Sequence, residues 1–351
     1  MDGYAVMFNP EIMQWNLIGE IPAGANSKVS INDNSTVEIM TGARLPAGAD
    51  TIIPLEDVAV EKNLIKLKDG AKISKGQYVR RTGEDLKLNS IAVHKYTMLR
   101  PKNISLAAAC GASKVKVFSP FKMGILATGD ELVDINEKPE NDSIRASNNY
   151  SLFTAIKDIN MLPVDFGFVN DKPEFINEKL KSALGTNLDI LITTGGVSVG
   201  KYDYLRNILE EVGAKIIFWK VNIKPGKPLL FCVYEKKEKS ILIFGLPGNP
   251  VSALVGFNLF IKRNIFDYFN IKQDDTFRAV LSEDLHKDDS RRHLVWAFAK
   301  YEKEKGTYSV RKSGRQSSGN MAGMSNANCL LIFEEEKDTL HKGEMVQCIR
   351  L

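Results

Sequence analysis

Four loops in the middle of the sequence hold residues whose chemistry suits an anionic ligand. They are Ala127–Leu132, the glycine-rich part of Leu188–Tyr204, Ile223–Pro228 and Phe244–Pro250. Between them they combine adjacent acids, closely spaced glycines, two lysines and a strand-to-helix turn. Each feature alone also has an ordinary structural explanation, so the prediction depends on their combination.

The first loop carries two neighbouring carboxylates directly after an apolar, strand-like run. The run ends at Thr128, and Asp130 and Glu131 follow one residue later. Carboxylates at the C-terminal end of a strand suit Mg²⁺ or a ligand hydroxyl. An acidic N-cap of a turn explains the same pair equally well, and both interpretations stay open.

The second loop, within Leu188–Tyr204, follows a short apolar run typical of a strand that is covered on both faces. Gly195, Gly196 and Gly200 allow a tight bend that brings backbone N–H groups against an anion. Asp203 opens the next helix, where a carboxylate suits the positive end of the helix dipole or holds a metal ion. The loop is neither a P-loop nor a G-x-G-x-x-G fingerprint, so a phosphate-bearing ligand is a hypothesis.

The other two loops offer fixed cations and unpaired backbone donors. Lys224 and Lys227 lie on a stiff Pro-Gly loop that places their charges toward an anion. Surface lysines at a turn are the plainer alternative. The segment Pro247–Pro250 joins a strand to a helix whose N-terminal N–H groups suit phosphate, and a rigid loop is its alternative.

Together the four loops predict one site. Strands alternate with helices from residue 120 to about residue 269, which indicates a doubly wound, mostly parallel sheet with helices on both faces. In such sheets ligands bind beyond the carboxyl ends of the strands, where all four loops are expected to lie. Acids, cations and backbone donors at one sheet edge are what an anionic ligand with a divalent metal needs.

Candidates outside this region carry less weight. Polar groups beside glycine, or in basic or polar clusters, occur at Asp2-Gly3, Met40–Ala43, Arg80–Asp85, Arg291-Arg292 and Arg315–Ser318. Turns and caps explain the first three, and the last two suit either an oxyanion or exposed loops. The four histidines, at positions 94, 286, 293 and 341, lie outside the α/β segment, so histidine catalysis in its crevice is not expected.

The sequence predicts a multidomain α/β plus β protein. The α/β domain takes residues 119–270. Turn-rich alternating segments over 14–80 indicate a β-rich insert domain, and five short strands over 271–351 indicate a small β-barrel or sandwich. Residues 1–13 and 81–118 are assigned to a connector.

Composition indicates an ordinary globular protein. Of 351 residues, 44% are hydrophobic and 26% charged, which is enough apolar chain to bury several cores. A net charge of +4 suits an anionic small molecule but is too weak to argue for nucleic acid. The cysteines form no C-x-x-C pair, so no zinc or redox site is expected. Without a long apolar run or a signal-peptide pattern, we expect a cytoplasmic protein.

Seven motifs follow one another along the chain: MDGYAV, VEIMTGARLPAGADTIIPLED, RRTGEDL, LATGDEL, ITTGGVSVGKYDY, IKPGKP and FGLPGNPVSAL. In type and order they resemble the motifs of the molybdopterin molybdenumtransferase (MoeA) family, which the gephyrin E domain shares. They span the chain from residue 1 to about residue 260, and the C-terminal region is similar more loosely, through RQSS and NANCLLIF. The α/β part alone also resembles molybdopterin adenylyltransferase and CinA-type domains, and the two β regions favour MoeA.

The resemblance implies a reaction and an assembly. Molybdenum from molybdate would enter adenylylated molybdopterin with Mg²⁺ assisting, giving molybdenum cofactor and AMP. The crevice of this family is completed across a homodimer, so the connector becomes a dimerisation domain. The molybdopterin adenylyltransferase and molybdoenzyme apoproteins are the implied protein partners, with no nucleic acid and no membrane.

The resemblance also implies roles for individual residues. Catalytic roles fall on Asp2, Thr41, Asp85, Asp130, Glu131 and Asp203, the first three reaching the crevice from the partner chain. Substrate-binding roles fall on Thr128, Gly195, Gly196, Ser198, Gly200, Lys224, Lys227, Pro247, Gly248, Asn249, Pro250, Arg292 and Ser318. Glu131 and Asp203 are the implied Mg²⁺ ligands. Arg292 and Ser318 are implied for the molybdate side.

One departure and two alternatives accompany this resemblance. Members of the family carry a further segment before the MDGYAV motif, whereas this sequence starts at that motif. Either the sequence is truncated, or this version lacks that part of the dimerisation domain, and in both cases the crevice motifs are intact. The alternatives are a gephyrin-like scaffold that binds peptides with the same fold, and a CinA-like nucleotide pyrophosphatase.

Overall fold

The computed structural model describes residues 1–25, 28–197, 204–237, 239–272, 275–317 and 319–351. They form two compact units, Met1–His94 and Lys95–Leu351, and each is described by itself. Within the described residues, no helix has the length and apolar character needed to cross a membrane.

The first unit is built around one six-stranded sheet. Its strands are β1 (Gly3–Val6), β2 (Gln14–Ile21), β3 (Ser35–Ile39), β4 (Thr51–Pro54), β5 (Val58–Glu61) and β6 (Leu64–Leu67). They lie in the order β4-β1-β3-β2-β6-β5. Because β1 pairs antiparallel with β3 and with β4, the first residues of the chain share a sheet with the β-rich segment 14–80. The four domain boundaries drawn from the sequence stay a prediction.

The sheet of the first unit is covered on both faces. Successive residues of a strand point to opposite faces. Tyr4 and Val6 accordingly pack with Trp15 in one apolar cluster, while Ala5 packs with Val37 in another. Because β1 is buried on both faces, all of its residues are apolar, and no polar residues alternate with them.

The second unit contains the α/β region. Its elements in chain order are α1 (Pro101–Ala109), β7 (Lys122–Thr128), β8 (Leu132–Val133), β9 (Ile144–Arg145), α2 (Ser147–Asp158), β10 (Leu162–Val169), α3 (Pro173–Gly185), β11 (Ile190–Thr194), α4 (Leu205–Glu211), β12 (Lys215–Trp219), β13 (Ile223–Lys224), β14 (Leu230–Glu235), β15 (Ser240–Leu246), α5 (Pro250–Gly256) and α6 (Arg263–Tyr268). A π-helical segment, Phe257–Lys262, joins the last two helices. Helix α1 buries none of its residues.

Six of these strands form the central sheet, in the order β10-β7-β11-β15-β14-β12. The first four are mutually parallel, and β14 runs antiparallel to both of its neighbours. Ile125 and Ile192 pack on one face with α2, α5 and α6, and Leu126 and Leu191 pack on the other with α3 and α4. The prediction of a doubly wound, mostly parallel sheet is confirmed.

The sheet brings the predicted loops to one edge. Strands β7, β11 and β15 are parallel, so the loops that follow them all start at their common carboxyl end. Strand β14 runs the opposite way, and therefore the loop that precedes it, Pro225–Leu229, lies at that same edge. One edge thus collects four loops that are far apart in sequence.

The C-terminal region closes into a small barrel. Its elements are β16 (Thr276–Leu281), β17 (Leu285–His286), β18 (Arg292–Glu302), β19 (Thr307–Lys312), α7 (Met321–Ser325), β20 (Cys329–Phe333), β21 (Thr339–Leu340) and β22 (Met345–Arg350). Five strands follow the order β18-β19-β16-β22-β20, and β20 pairs back with β18. The five strands and the barrel predicted from the sequence are confirmed.

The barrel is joined to the α/β region by a shared strand pair and an apolar contact. Strand β13 lies parallel to β18, with Ile223 opposite Arg292 and Lys224 opposite His293. Val251 of α5 is in the same apolar cluster as Ile223 and as residues of β18 and β20. Residues 224–228, which carry Lys224 and Lys227 and are called the lysine loop below, therefore lie beside the barrel.

The covered face of α2 gives a direct test of this packing. Ile156 is fully buried in the cluster between α2 and the central sheet. We expect Ile156→Ala to lower the free energy of unfolding by about 2–5 kcal/mol, because it leaves a cavity without a loss of helix propensity. Chemical denaturation measures the change. Thr154→Ala, at an exposed position of the same helix, should stay within about 0.5 kcal/mol, and equal losses would contradict the assigned face.

Candidate functional site

The loops after β7 and β11 approach each other more closely than a side chain would allow. A Cβ placed on Gly195 would lie 2.2 Å from the carbonyl oxygen of Thr128, and Gly195 has a φ of +89°. Its N–H donates to the carbonyl oxygen of Leu246 at the end of β15 (3.1 Å). Gly195 therefore lies between the ends of two strands, in a position that only glycine fills without strain.

The loop after β15 meets the same point. A Cβ on Gly248 would lie 3.4 Å from the Cα of Gly195, so these two backbones are in contact. The carbonyl oxygen of Gly248 accepts a hydrogen bond of 2.7 Å from Nδ2 of Asn148 on α2. Gly196 lies against the Thr128 hydroxyl, since its Cβ would stand 3.1 Å from that oxygen. Three of the four predicted loops thus converge in the structure.

Buried polar atoms without partners surround this convergence. Within the described residues, the Thr128 hydroxyl, Asn148 Oδ1 and Asn249 Oδ1 are buried and have no hydrogen-bond partner. Buried polar atoms in native proteins are nearly always paired. Three unpaired acceptors or donors on three adjacent elements are what a bound polar ligand would satisfy. Asn148 had no signal in the sequence beyond its place near the start of a helix.

The loop after β15 leads into the start of α5. Pro247 is buried, Gly248 is exposed, and Pro250 is the first residue of the helix. Asn249 is the N-cap, but its side chain makes no capping hydrogen bond. The N–H groups of the first turn therefore lack a side-chain partner, as binding of a phosphate requires.

The acidic pair after β7 is exposed, and its two members differ. Asp130 Oδ1 accepts a hydrogen bond of 3.0 Å from the Asp171 N–H in the loop after β10. The carboxylate of Glu131 lies over Gly129, whose Cβ would be 2.7 Å from Oε2, and has no hydrogen-bond or ion-pair partner among the described residues. Glu131 is thus the carboxylate of the pair that is free to bind a ligand or metal.

Part of the predicted site lies outside the described residues. These positions are Ser198, Gly200, Asp203 and Ser318. Within the described ranges, no group of three or more His, Cys, Asp or Glu residues could hold a metal ion. The prediction that Glu131 and Asp203 bind Mg²⁺ together stays a prediction.

The lysine loop faces the barrel across a cleft of about 560 Å³. The α/β wall consists of Lys224–Pro228 with Val251 and Ser252 of α5. The barrel wall includes Lys287, Arg291, Arg315 and Gln316. The two walls come from elements joined by the β13–β18 pair, so the cleft lies within the second unit.

The two predicted lysines of this cleft have different surroundings. Nζ of Lys224 lies 3.0 Å from the carboxylate of Asp289 and 3.9 Å from that of Asp288. Lys227 is exposed and makes no ion pair with any described residue. Its backbone is held in place, since its carbonyl oxygen accepts from the N–H groups of Val221 and Leu229, each at 3.0 Å. Lys227 is the freer cation on a fixed backbone.

Two adjacent arginines of the barrel differ in their surroundings, and the role implied for Arg292 stays a prediction. Arg292 forms an ion pair of 2.8 Å with Glu334 and does not line the cleft. Arg291 and His293, the residues directly before and after Arg292, do line the cleft. Successive residues of an extended segment point to opposite sides, so these two point away from the side of Arg292. Arg315 also lines the cleft, and its guanidinium has no hydrogen-bond partner among the described residues. The sequence indicated Arg291-Arg292 and Arg315–Ser318 as candidates but could not assign the directions of their side chains.

The candidates of the first unit are partly brought together. The Asp2 Oδ1 atom accepts hydrogen bonds from the Thr41 N–H (2.7 Å) and the Thr41 hydroxyl (2.6 Å). These bonds hold the pKa of the exposed Asp2 carboxyl below its ordinary value. Asp85 instead forms an exposed ion pair with Arg80 at 3.0 Å. The structure thus pairs two of the three residues predicted to act from this part of the chain.

Trp219 connects two of the loops, although no pattern in the sequence indicated it as a candidate. Its indole Nε1 donates to the carbonyl oxygen of Val197, directly after the two glycines (3.0 Å). Its ring lies 5.0 Å from the guanidinium of Arg206 at the start of α4. The next residue, Lys220, donates its N–H to the carbonyl oxygen of Leu229 at the end of the lysine loop (2.8 Å). Trp219 therefore ties the glycine loop to the segment that carries the lysines.

Three family models together match most of the chain. They are the MoeA N-terminal region (domain I and II) over residues 1–111, the probable molybdopterin binding domain over residues 124–266, and the MoeA C-terminal region (domain IV) over residues 278–351. The middle model covers the strands and loops that converge at Gly195. The last one covers the barrel wall of the cleft.

Curated relatives and solved structures agree with these models. The chain is 33% identical to the molybdopterin molybdenumtransferase of Haemophilus influenzae, over 99% of this chain and 85% of the relative. It is 32% identical to that of Nostoc sp., over 100% of this chain and 82% of the relative. A crystal structure of the molybdopterin biosynthesis moeA protein of Pyrococcus horikoshii matches all of this chain and 86% of that one, with 26% identity and a TM-score of 0.80.

The close approach at Gly195 predicts a position-specific effect of one methyl group. We expect Gly195→Ala to lower the free energy of unfolding by about 1–3 kcal/mol, because its Cβ would collide with a backbone oxygen and its φ is positive. Thermal denaturation measures the loss. Gly185→Ala is the matched control, since a Cβ there meets nothing within 4 Å. Similar melting temperatures for both variants would show that the loops are not packed as described.

The Trp219 link predicts a separable hydrogen-bond contribution. Trp219→Phe removes the indole N–H and leaves the Val197 carbonyl without its donor, which should cost about 1–3 kcal/mol of unfolding free energy. Trp296→Phe is the control, because the buried indole N–H of Trp296 has no partner within the described residues. Denaturant titration of both variants isolates the hydrogen bond from the loss of ring volume. An equal cost for the two would remove the proposed link.

Proposed function

Because this chain belongs to the molybdopterin molybdenumtransferase (MoeA) family, we propose that it inserts molybdenum from molybdate into adenylylated molybdopterin and releases AMP. Membership makes it a transferase of molybdenum cofactor biosynthesis. The adenylylated substrate, the AMP product and a requirement for Mg²⁺ are parts of the proposal. The observation that carries it is the basic cleft between the lysine loop and the barrel.

The chemistry of this cleft suits a small dianion. Two of its side chains, Lys227 and Arg315, have no ion-pair partner among the described residues and lie on opposite walls. A tetrahedral oxyanion between them would gain a point charge from the lysine and a planar fork of donors from the arginine. A cleft of about 560 Å³ also leaves room for part of a larger substrate beside the oxyanion.

The convergence around Gly195 suits the phosphate-bearing substrate. Backbone N–H groups at the start of α5 lack side-chain caps, and the Thr128 hydroxyl and Asn249 Oδ1 lack partners in the described part of the chain. Adenylylated molybdopterin offers phosphate oxygens to the former and polar ring atoms to the latter. The glycines let these groups approach the ligand closely.

Among the acids, the free carboxylate of Glu131 is the described residue that fits a metal, and Asp203 is proposed to join it. Mg²⁺ held there would neutralise charge on the phosphoanhydride as AMP leaves. Asp130, tied to the loop after β10, is proposed to orient the ligand. Carboxylate oxygens of this kind are the ligands that Mg²⁺ prefers.

We further propose that a homodimer completes the crevice. Asp2, Thr41 and Asp85 would then reach it from the partner chain, with Asp2 kept ionised by its two hydrogen bonds from Thr41. The molybdopterin adenylyltransferase would supply the substrate, and apoproteins of molybdoenzymes would take the product, in the cytoplasm. Light scattering tests the dimer, and a monomer with full activity would contradict the shared crevice.

The freer lysine of the cleft gives the test of this function. Purified protein is given adenylylated molybdopterin, and AMP release is followed against molybdate concentration. We expect release to depend on molybdate, and Lys227→Ala to raise the KM for molybdate about tenfold or more, the loss of roughly one charged hydrogen bond. Its melting temperature should stay unchanged, because an exposed lysine contributes little to stability.

Lys181→Ala, at an exposed position of α3, removes the same charge away from the cleft and should leave the KM unchanged. AMP release that does not respond to molybdate would contradict the proposed reaction. Turnover of ADP-ribose without molybdate would favour a nucleotide pyrophosphatase. A protein with neither activity that still binds peptides would favour a scaffold.

A further inference from the structure

One carboxylate organises much of the cationic wall of the cleft. Oδ1 of Asp289 accepts from the Arg291 backbone N–H (3.0 Å) and from Arg291 Nε (3.2 Å), and lies 3.0 Å from His293 Nε2. Oδ2 accepts from Arg291 Nη2 (2.8 Å) and from Lys224 Nζ (3.0 Å). Five contacts from three basic side chains or their backbone thus end on two oxygen atoms. No pattern in the sequence indicated Asp289 as a candidate.

The two walls of the cleft meet at this carboxylate. Lys224 belongs to β13, whereas Arg291 precedes β18 and His293 lies within it. The parallel pairing of β13 with β18 sets Lys224 opposite His293, which brings both side chains to the same place. Asp289 therefore connects a cation of the lysine loop with a cation of the barrel.

Hydrogen bonds and burial shift the pKa of two groups in this cluster. The hydrogen bonds from Arg291, with those from His293 and Lys224, hold the pKa of the Asp289 carboxyl well below its usual range. Burial lowers the pKa of His293, so its imidazole is neutral near neutral pH.

Long basic side chains otherwise sample many rotamers. Lys and Arg lose more side-chain entropy on fixation than most residues, so a ligand that must fix them binds less tightly. A carboxylate that already holds both removes this cost before the ligand arrives. The bidentate contact to Arg291 also fixes the plane of its guanidinium, which a lysine could not reproduce.

We propose that Asp289 is a positioning residue that presets Lys224 and Arg291 for an oxyanion bound in the cleft. The inference rests on the proposed function, since it takes the oxyanion to be molybdate. Removal of the negative charge of Asp289 should therefore weaken anion binding. Removal of a negative charge beside an anion site ordinarily strengthens anion binding through Coulomb attraction. Loss of positioning acts in the opposite direction.

A neighbouring acid separates these two effects. Asp288 is 94% exposed at its side chain, and its one described ion-pair contact is the 3.9 Å approach to Lys224. Asp288→Asn and Asp289→Asn therefore change the net charge equally, one residue apart. Only the second variant releases the two basic side chains.

The experiment measures binding of molybdate alone by isothermal titration calorimetry at fixed ionic strength. We expect Asp289→Asn to weaken binding about tenfold or more, and Asp288→Asn to leave it within about twofold or to strengthen it slightly. Equal dissociation constants for the two variants, or tighter binding by Asp289→Asn, would overturn the proposal. A wild-type protein that does not bind molybdate would overturn it too.

A second variant keeps the test decisive if Asp289→Asn does not fold. Arg291→Lys preserves every charge but removes the bidentate contact, and we expect it to weaken molybdate binding by about threefold to tenfold. Wild-type affinity in that variant would overturn the proposal. A protein that binds molybdate but releases no AMP would contradict the proposed function and leave the role of Asp289 standing, so the two failures are distinguishable.

Discussion

The candidate site depends on the parallel pairing of two short stretches, β13 with β18. This pairing is only two residues long, but the N–H of Arg292 also donates to the carbonyl oxygen of Asn222 at 3.1 Å. The apolar contact of α5 with the barrel seals the same junction. Without this junction the lysine loop would be an ordinary surface turn, and the barrel would have no cleft beside it. The strand pairing, this hydrogen bond and the apolar contact together join the α/β region and the barrel beside one cleft.

Electrostatics in this surface divides into fixed and available charge. Lys224 and Arg291 are held by Asp289, and Lys287 donates its ammonium to the carbonyl oxygens of Arg291 and Glu335 (2.7 and 3.1 Å). Lys227 and Arg315 are the cations left without such partners in the described part of the chain. The fixed cations form a preset part of the oxyanion site, and the available ones are free to move onto the ligand.

Much of the fold could be predicted because strand and helix periods are local properties of the chain. The alternation from residue 120 to about residue 269 indicated the parallel sheet, and sheet topology alone then placed four loops at one edge. The barrel followed from five short strands. The grouping of β1 with β3 and β4 could not be seen, since four apolar residues carry no information on their strand partners.

Side-chain direction was the harder part of the site. Adjacent arginines at 291 and 292 differ by one residue, and only the register of β18 decides which of them lines the cleft. Asp289 lies in a run of charged residues typical of a solvated loop, and Trp219 lies in an ordinary strand pattern. Neither residue was therefore predicted. Trp219 bonds to Val197, which is 22 positions away, and Asp289 is linked to the other wall by Lys224, which is 65 positions away. The sequence indicated which residue types suit the chemistry. The pairing of strands in the folded protein determines which of those residues line the cleft.

The central claim is that an oxyanion binds between the lysine loop and the barrel. A crystal structure of the protein with molybdate, collected at the molybdenum absorption edge, tests it most directly. The anomalous difference map should show one peak inside the cleft, within hydrogen-bond distance of Lys227 Nζ and the Arg315 guanidinium. A peak elsewhere on the molecule, with the cleft unoccupied at saturating molybdate, would contradict the account.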